Sequence, residues 1–194
     1  MLPLLYIDAY VKKCYNEKMG SPETKISPEI IQTDKNDVTV RLFRDEDLEE
    51  FSHLFNKDLS HIRAHSYGLD VAGFVTWAED IVEGNPPDGV RLMMVCSDDK
   101  IAGCIVLGTE QDGTQNIAYA AGKDYEGQGV MSSAVKAVVD NEAKNGKDVI
   151  AQVKRDNLRS TRLLGRVGFK FDHWDFEFRE EVYKYAHDDK AKDS

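Results

Sequence analysis

The 194-residue chain predicts an α/β domain built on a mixed sheet, and three observations carry that expectation. Short β-rich runs alternate with amphipathic stretches of helical spacing across residues 38–186. Two of the runs, 91–97 and 100–109, flank Ser97-Asp98-Asp99-Lys100 and read as a β-hairpin. A third, Asn116–Ala121, passes through a glycine-bearing turn directly into an apolar helix.

In chain order, Val38–Phe43 alternates like a strand, and Asp45–Asn56 puts Leu48, Phe51, Leu54 and Phe55 on one helical face with acids at its start. A second helix is expected near Leu69–Glu83, ahead of the turn Gly84–Gly89 and the hairpin. After the strand Asn116–Ala121, Val130–Asn145 is helical with Val130, Ala134, Ala137, Val138 and Val139 inward. Val149–Val153 is a short strand, Leu158–Val167 a helix, and Phe169–Phe171 and Val182–Ala186 the last strands. Residues 1–37 read as an arm and linker broken by Gly20, Pro22 and Pro28, 38–186 as the domain, and 187–194 as a polar tail.

Composition removes several function classes. A net charge of −10 argues against general nucleic-acid binding, which needs a basic face. No apolar run approaches the ~18 residues of a membrane span, and the start of the chain lacks the basic segment of a secretory signal. Cys14, Cys96 and Cys104 are too few for a disulfide framework. An acidic, soluble protein of a reducing compartment is expected, with a cytoplasmic location.

The chemistry concentrates in 116–135. Gly127 and Gly129 let the backbone turn sharply into the helix, so that successive N–H groups and the positive helix end would cradle a phosphate or diphosphate, with no Cβ holding the anion off. It is not a P-loop, because Val130-Met131 stands where Lys-Ser/Thr is required. Nor is it a dinucleotide fingerprint, because Ser132 replaces the third glycine.

About thirty residues on lies Arg155-Asp-Asn-Leu-Arg-Ser-Thr-Arg-Leu-Leu-Gly-Arg-Val-Gly-Phe169. With this second motif the chain resembles the GCN5-related N-acetyltransferase (GNAT) superfamily, and within it the RimJ and RimL branch of ribosomal-protein N-terminal acetyltransferases. The family's Gln/Arg-x-x-Gly-x-Gly/Ala is matched by Glu126–Met131, and the branch's Asn-x-x-Ser with its Gly-Phe ending by Asn157–Ser160 and Gly168-Phe169. The resemblance implies a GNAT-like fold, that of acyl-CoA N-acyltransferases: a mixed central sheet with flanking helices, splayed between Asn116–Ala121 and Val149–Val153. It implies acetyl-CoA as cosubstrate, with the pantetheine bonded along Tyr119, Ala120 and Ala121, and the diphosphate on the amides of Gly127, Gln128, Gly129, Val130 and Met131. It implies that Asn157 holds the pantetheine and that Ser160 protonates the leaving thiolate, since Leu164 stands where many members carry a Tyr. The acceptor it implies is a primary amine, in the first place the N-terminal α-amine of a protein or peptide, attacked directly in a ternary complex. It leaves a homodimer open.

Two residues depart from the family pattern. Glu126 puts a carboxylate beside the diphosphate turn, where it must point away or pair with a cation such as Lys123. Asn116 stands where a strand Glu is often credited with taking the amine proton, so no base is assigned. Arg159, Arg162 and Arg166 read as cations for the phosphates or as solvated surface, and Trp77 and Trp174 as acceptor lining or as structural. His61 and His65 have ligand spacing, but no Glu follows His61 and no third ligand is evident, so no metal is expected. Cys96 and Cys104 lie in predicted strands, where buried thiols outweigh an acetyl-cysteine route. A small-molecule amine acceptor and a degenerate CoA-binding sensor or interaction module are the competing functions, with an ATP- or NAD-binding protein as a third.

Overall fold

The computed structural model describes residues 30–56 and 89–186. The strands are β1 (Ile30–Gln32), β2 (Val38–Leu42), β3 (Val90–Ser97), β4 (Lys100–Thr109), β5 (Gln115–Ala121), β6 (Val149–Val153), β7 (Phe169–Asp175) and β8 (Glu180–Tyr185). The helices are α1 (Leu48–Asn56), α2 (Val130–Lys144) and α3 (Leu158–Val167). All eight strands share one sheet in the order β1-β2-β3-β4-β5-β6-β8-β7, in which only β5 and β6 pair in parallel. That junction explains α2, because a parallel pair needs a crossover of a dozen or more residues between its strands.

The core has two layers. On one face α2 and α3 bury Val135, Val138, Val139 and Leu164 against Val40, Val95, Ile105 and Leu107. On the other, Phe51 of α1 packs with Leu92, Met94, Cys104 and Val106. Strand β4 is covered on both sides, and its sequence is accordingly an unbroken small and apolar run rather than an alternation. The β3–β4 hairpin turns at Asp98 and Asp99, both at positive φ (48° and 63°), the conformation that matches the twist of a two-residue connection.

The sheet extends beyond the expected elements at both edges. Ile30–Gln32 lies in the stretch read as arm and linker, yet pairs with β2 from Ile30↔Arg41 to Gln32↔Thr39 and buries Ile31. Three residues are too few to show an alternation. Strand β7 runs on to Asp175 because an edge strand can be exposed, so Lys170 and His173 pair, with Asp172 at a bulge between Phe171 and His173, without looking like strand residues. The expected helix near Leu69–Glu83, with His61, His65 and Trp77, lies outside the described residues.

Candidate active site

The sheet opens between its two central parallel strands. β5 and β6 pair only at Gln115↔Val149 and Asn116↔Ile150; beyond that, β5 stays bonded to β4 and β6 to β8, and the two diverge. The resulting cleft, about 330 Å³ including open solvent, is lined by residues 117–119 and 151–154 together with Asn157 and Ser160. The free edge of β5 therefore offers unpaired backbone groups where a pantetheine-like chain would add as a strand. Tyr119 lines the cleft, while Ala120 and Ala121 continue the same strand toward the glycine turn. The Tyr119 hydroxyl donates to the Ser160 carbonyl at 3.4 Å, and burial pushes its pKa up to about 12, so it stays a neutral donor.

Asn157 is the N-cap of α3. Its Oδ1 accepts from the Ser160 N–H at 3.2 Å, leaving Nδ2 without a partner among the described residues and free to donate into the cleft. The cap also fixes Ser160, half-buried on the cleft wall one turn away.

At the mouth, a 3-10 turn over Lys123–Tyr125 leads through Glu126 into the glycines. Gly127 and Gly129 have φ of 73° and 79°, and a Cβ on either would meet nothing within 4 Å. Conformation therefore demands glycine here, and the space outside the turn is open to a ligand. Gly129 is the N-cap of α2 with no side-chain cap, so the amides of Val130, Met131 and Ser132 have no partner within the helix. Glu126 pairs with a cation from α3: Arg159 Nη1 meets its carboxylate at 2.6 Å. Arg166 instead donates to the Ser132 hydroxyl at 3.3 Å. From the far side, Lys35 Nζ donates to the Gln128 carbonyl at 3.1 Å, and the Ser133 hydroxyl donates to Asp34.

Where β5 and β6 part, Asn116 is buried and donates through Nδ2 to Gln152 Oε1 at 2.9 Å and Glu110 Oε1 at 3.2 Å; Gln152 Nε2 donates in turn to Asp175 at 3.3 Å. By strand alternation Asn116, Gln152 and Glu180 point to the face away from α2 and α3, because Ile117, Tyr119, Ala151, Val153 and Tyr183 pack toward those helices. Glu180 stands opposite Asp175 in the β7–β8 register, is 7% exposed, and its carboxylate makes no hydrogen bond among the described residues. Burial is the main cause that pushes its pKa up to about 7; Asp175 adds to the shift and Lys154 on the cleft wall opposes it. Sequence reasoning missed this carboxylate. The available signal was a Glu two residues before Val182, in the inward register of a strand, where a charge is out of place.

The cysteines are core residues. Burial pushes the Cys104 thiol up to about 12 and raises that of Cys96, which argues against a thiolate nucleophile at either position. Trp174 is half-buried on β7. Among the described residues no group of three or more His, Cys, Asp or Glu is placed to hold a metal, and no helix is long and apolar enough to cross a membrane.

A mixed sheet splayed at one parallel junction, with a bare helix N-terminus at the mouth, defines the class of acyltransferase that the two sequence motifs suggested. The chain belongs to the GNAT family: the family model described as an acetyltransferase (GNAT) domain matches residues 37–170. Among solved structures, RimL, a ribosomal L7/L12 α-N-protein acetyltransferase, is similar with a TM-score of 0.69 at 16% identity, over 86% of this chain and 98% of that one. RimJ of Mycobacterium smegmatis, in complex with a CoA disulfide, gives 0.70 at 16% identity over 86% and 91%. The microcin C7 self-immunity acetyltransferase MccE, in complex with acetyl-CoA and AMP, gives 0.62 at 17% over 79% and 94%. No curated sequence matches significantly. The protein is an acetyltransferase of GNAT fold.

Proposed function

We propose that the protein transfers the acetyl group of acetyl-CoA to the N-terminal α-amine of a protein or peptide, with Glu180 as the base and Ser160 as the acid. The observation that carries the acceptor class is the buried carboxylate of Glu180, pushed up to about 7 chiefly by burial and near enough to feel Lys154 of the cleft wall. An α-amine titrates near ~7.8 and a lysine near ~10.4, so moving the proton to Glu180 is uphill by about 1 kcal/mol for the first and about 4.6 for the second. This carboxylate is matched to an α-amine. It also fills the role left vacant by Asn116, whose carboxamide holds Gln152 instead.

The residues fit the cosubstrate. The open left-handed turn at Gly127–Gly129 and the bare amides of α2 suit its diphosphate, and the free edge of β5 with Asn157 Nδ2 suits the amides of its pantetheine arm. Bound acetyl-CoA supplies an activated thioester. Glu180 accepts the proton of the attacking amine through water as the new C–N bond forms. Ser160 gives its proton to the departing sulfur as the C–S bond breaks, and regains one from solvent. An unpaired backbone N–H on the free edge of β5 would serve to stabilise the oxyanion between those steps. The net charge of −10 favours approach of cationic acceptors.

A matched peptide pair tests this reading by mass spectrometry, one peptide with its N-terminus blocked and lysines free, the other with lysines blocked and a free N-terminus. Acetylation is expected on the free N-terminus. Acetylation confined to lysine, or to small amines, would sink the α-amine assignment. Acetyl-CoA binding with no turnover on any amine would favour a CoA-binding module.

A further inference from the structure

The Glu126–Arg159 pair joins the two elements that flank the cleft mouth. Glu126 is the last residue before the glycine turn, and Arg159 lies in the first turn of α3, between the cleft-lining residues Asn157 and Ser160. Resting on the acetyl-CoA reading above, we propose that Arg159 is a phosphate ligand held in an exchangeable ion pair with Glu126, so that the diphosphate binds by taking the guanidinium from a carboxylate.

The two partners differ in how firmly they are seated. The Glu126 side chain is 30% exposed, whereas that of Arg159 is 75% exposed and reaches its partner through one guanidinium nitrogen. The guanidinium is the partner free to move, and its remaining N–H groups can fork onto phosphate oxygens. A solvent-exposed pair of this kind is weak and easily exchanged, while a diphosphate offers several charge-assisted bonds at once. Once Arg159 turns to the phosphates, Glu126 gives up this contact beside the diphosphate turn. Affinity then depends on the diphosphate capturing Arg159, and a thioester lacking phosphates gains nothing from the exchange. The departure from the family pattern at Glu126 becomes a device that makes binding selective for the phosphate-bearing cofactor.

Calorimetric titrations of wild type, Glu126→Gln, Arg159→Gln and Arg159→Lys with acetyl-CoA and with acetyl-pantetheine decide the matter, with unfolding midpoints confirming that each variant is folded. Arg159→Gln should weaken acetyl-CoA about tenfold, the loss of one charge-assisted contact. Glu126→Gln should tighten acetyl-CoA about threefold, by removing an exposed competitor. Arg159→Lys should fall between wild type and Arg159→Gln, and acetyl-pantetheine should be indifferent to all three. Wild-type affinity for acetyl-CoA in Arg159→Gln, or equal loss of both ligands, would overturn the proposal. So would weaker acetyl-CoA binding in Glu126→Gln, which would make Glu126 a support for Arg159 and not its competitor. If wild type itself does not bind acetyl-CoA, the reading on which the proposal rests falls first, an outcome distinct from the others.

Discussion

The two ends of the cleft are built in opposite ways. The mouth comes from two contiguous stretches, 126–131 and 157–160, where local conformation places each group: left-handed glycines, a bare helix start and an Asn cap. The closed end comes from single residues on β5, β6, β7 and β8, and only strand register brings Asn116, Gln152, Asp175 and Glu180 together. Binding groups at the mouth are placed by local backbone conformation within two short runs. The closed end depends on burial, which acts on individual side chains. Substitutions at the mouth should therefore show mainly in affinity, and those at the closed end mainly in rate and pH dependence.

The largest effect is expected at Glu180. Glu180→Gln keeps the shape and removes the base, and kcat should fall by about 10³-fold, within the range of general acid–base effects. In wild type the rate should rise with pH to a plateau above about 7, and the variant should lose that limb. Stability should move the other way. The folded protein holds the Glu180 proton up to about 7, whereas an unfolded Glu releases it near 4.5. Ionising this buried group thus costs nothing below about pH 4.5 and its full penalty above pH 7. Glu180→Gln should be more stable than wild type by about 2–3 kcal/mol at pH 8 and equal to it near pH 4, as chemical denaturation would measure. An unchanged rate would remove Glu180 from the chemistry, and an unchanged pH 8 stability would remove the burial argument.

The same contrast explains what was legible in the sequence. The turn Glu126–Met131 and the cap Asn157–Ser160 could be read because each is a short run whose residue types carry its geometry. The splay of the sheet was implied by the family resemblance that those two motifs carry, and by no local pattern of its own. Glu180 was not legible, because its chemistry is set by pairing with β7 and by burial, neither of which a local window contains. Asn116 was noticed as a missing base, but its role of orienting Gln152 needed the β5–β6 register. A cation for Glu126 was expected, but Arg159 in that role could not be read locally. It is α3 that brings Arg159 within 2.6 Å of Glu126 from 33 residues on.

Ser160 stands between the two ends and gives a sharper test. It is placed by a local cap but acts on the leaving group, so it should behave like the closed end. A coenzyme A thiol resembles cysteine, with a pKa near ~8.5, and its thiolate leaves with modest help at neutral pH. Ser160→Ala should therefore lower kcat by about 10²-fold while leaving the Kd for acetyl-CoA within about twofold. Single-turnover rates and calorimetry would separate the two readouts. A change in Kd alone would assign Ser160 to the mouth.

The smallest effect should come from the brace behind the mouth, which lies just outside the residues that match the family model. In the β1–β2 turn, Thr33 Oγ1 accepts from the Lys35 N–H at 3.1 Å and donates to the Val38 carbonyl at 2.9 Å. That holds Asp34 against the Ser133 hydroxyl in the first turn of α2, and Lys35 against the Gln128 carbonyl. The glycines free this turn to take its shape, and the brace limits how far it strays from that shape. Asp34→Ala leaves the buried Ser133 hydroxyl unpaired and should cost about 1–2 kcal/mol, with a loss of a few-fold in acetyl-CoA affinity as the turn loosens. Adding Ser133→Ala removes the unpaired hydroxyl and should restore most of the stability, because deleting both partners is far cheaper than deleting one. The affinity should not return, because the turn is still unbraced. If affinity recovers together with stability, the brace supports the fold alone, and the mouth of the cleft needs no contribution from beyond its two contiguous motifs.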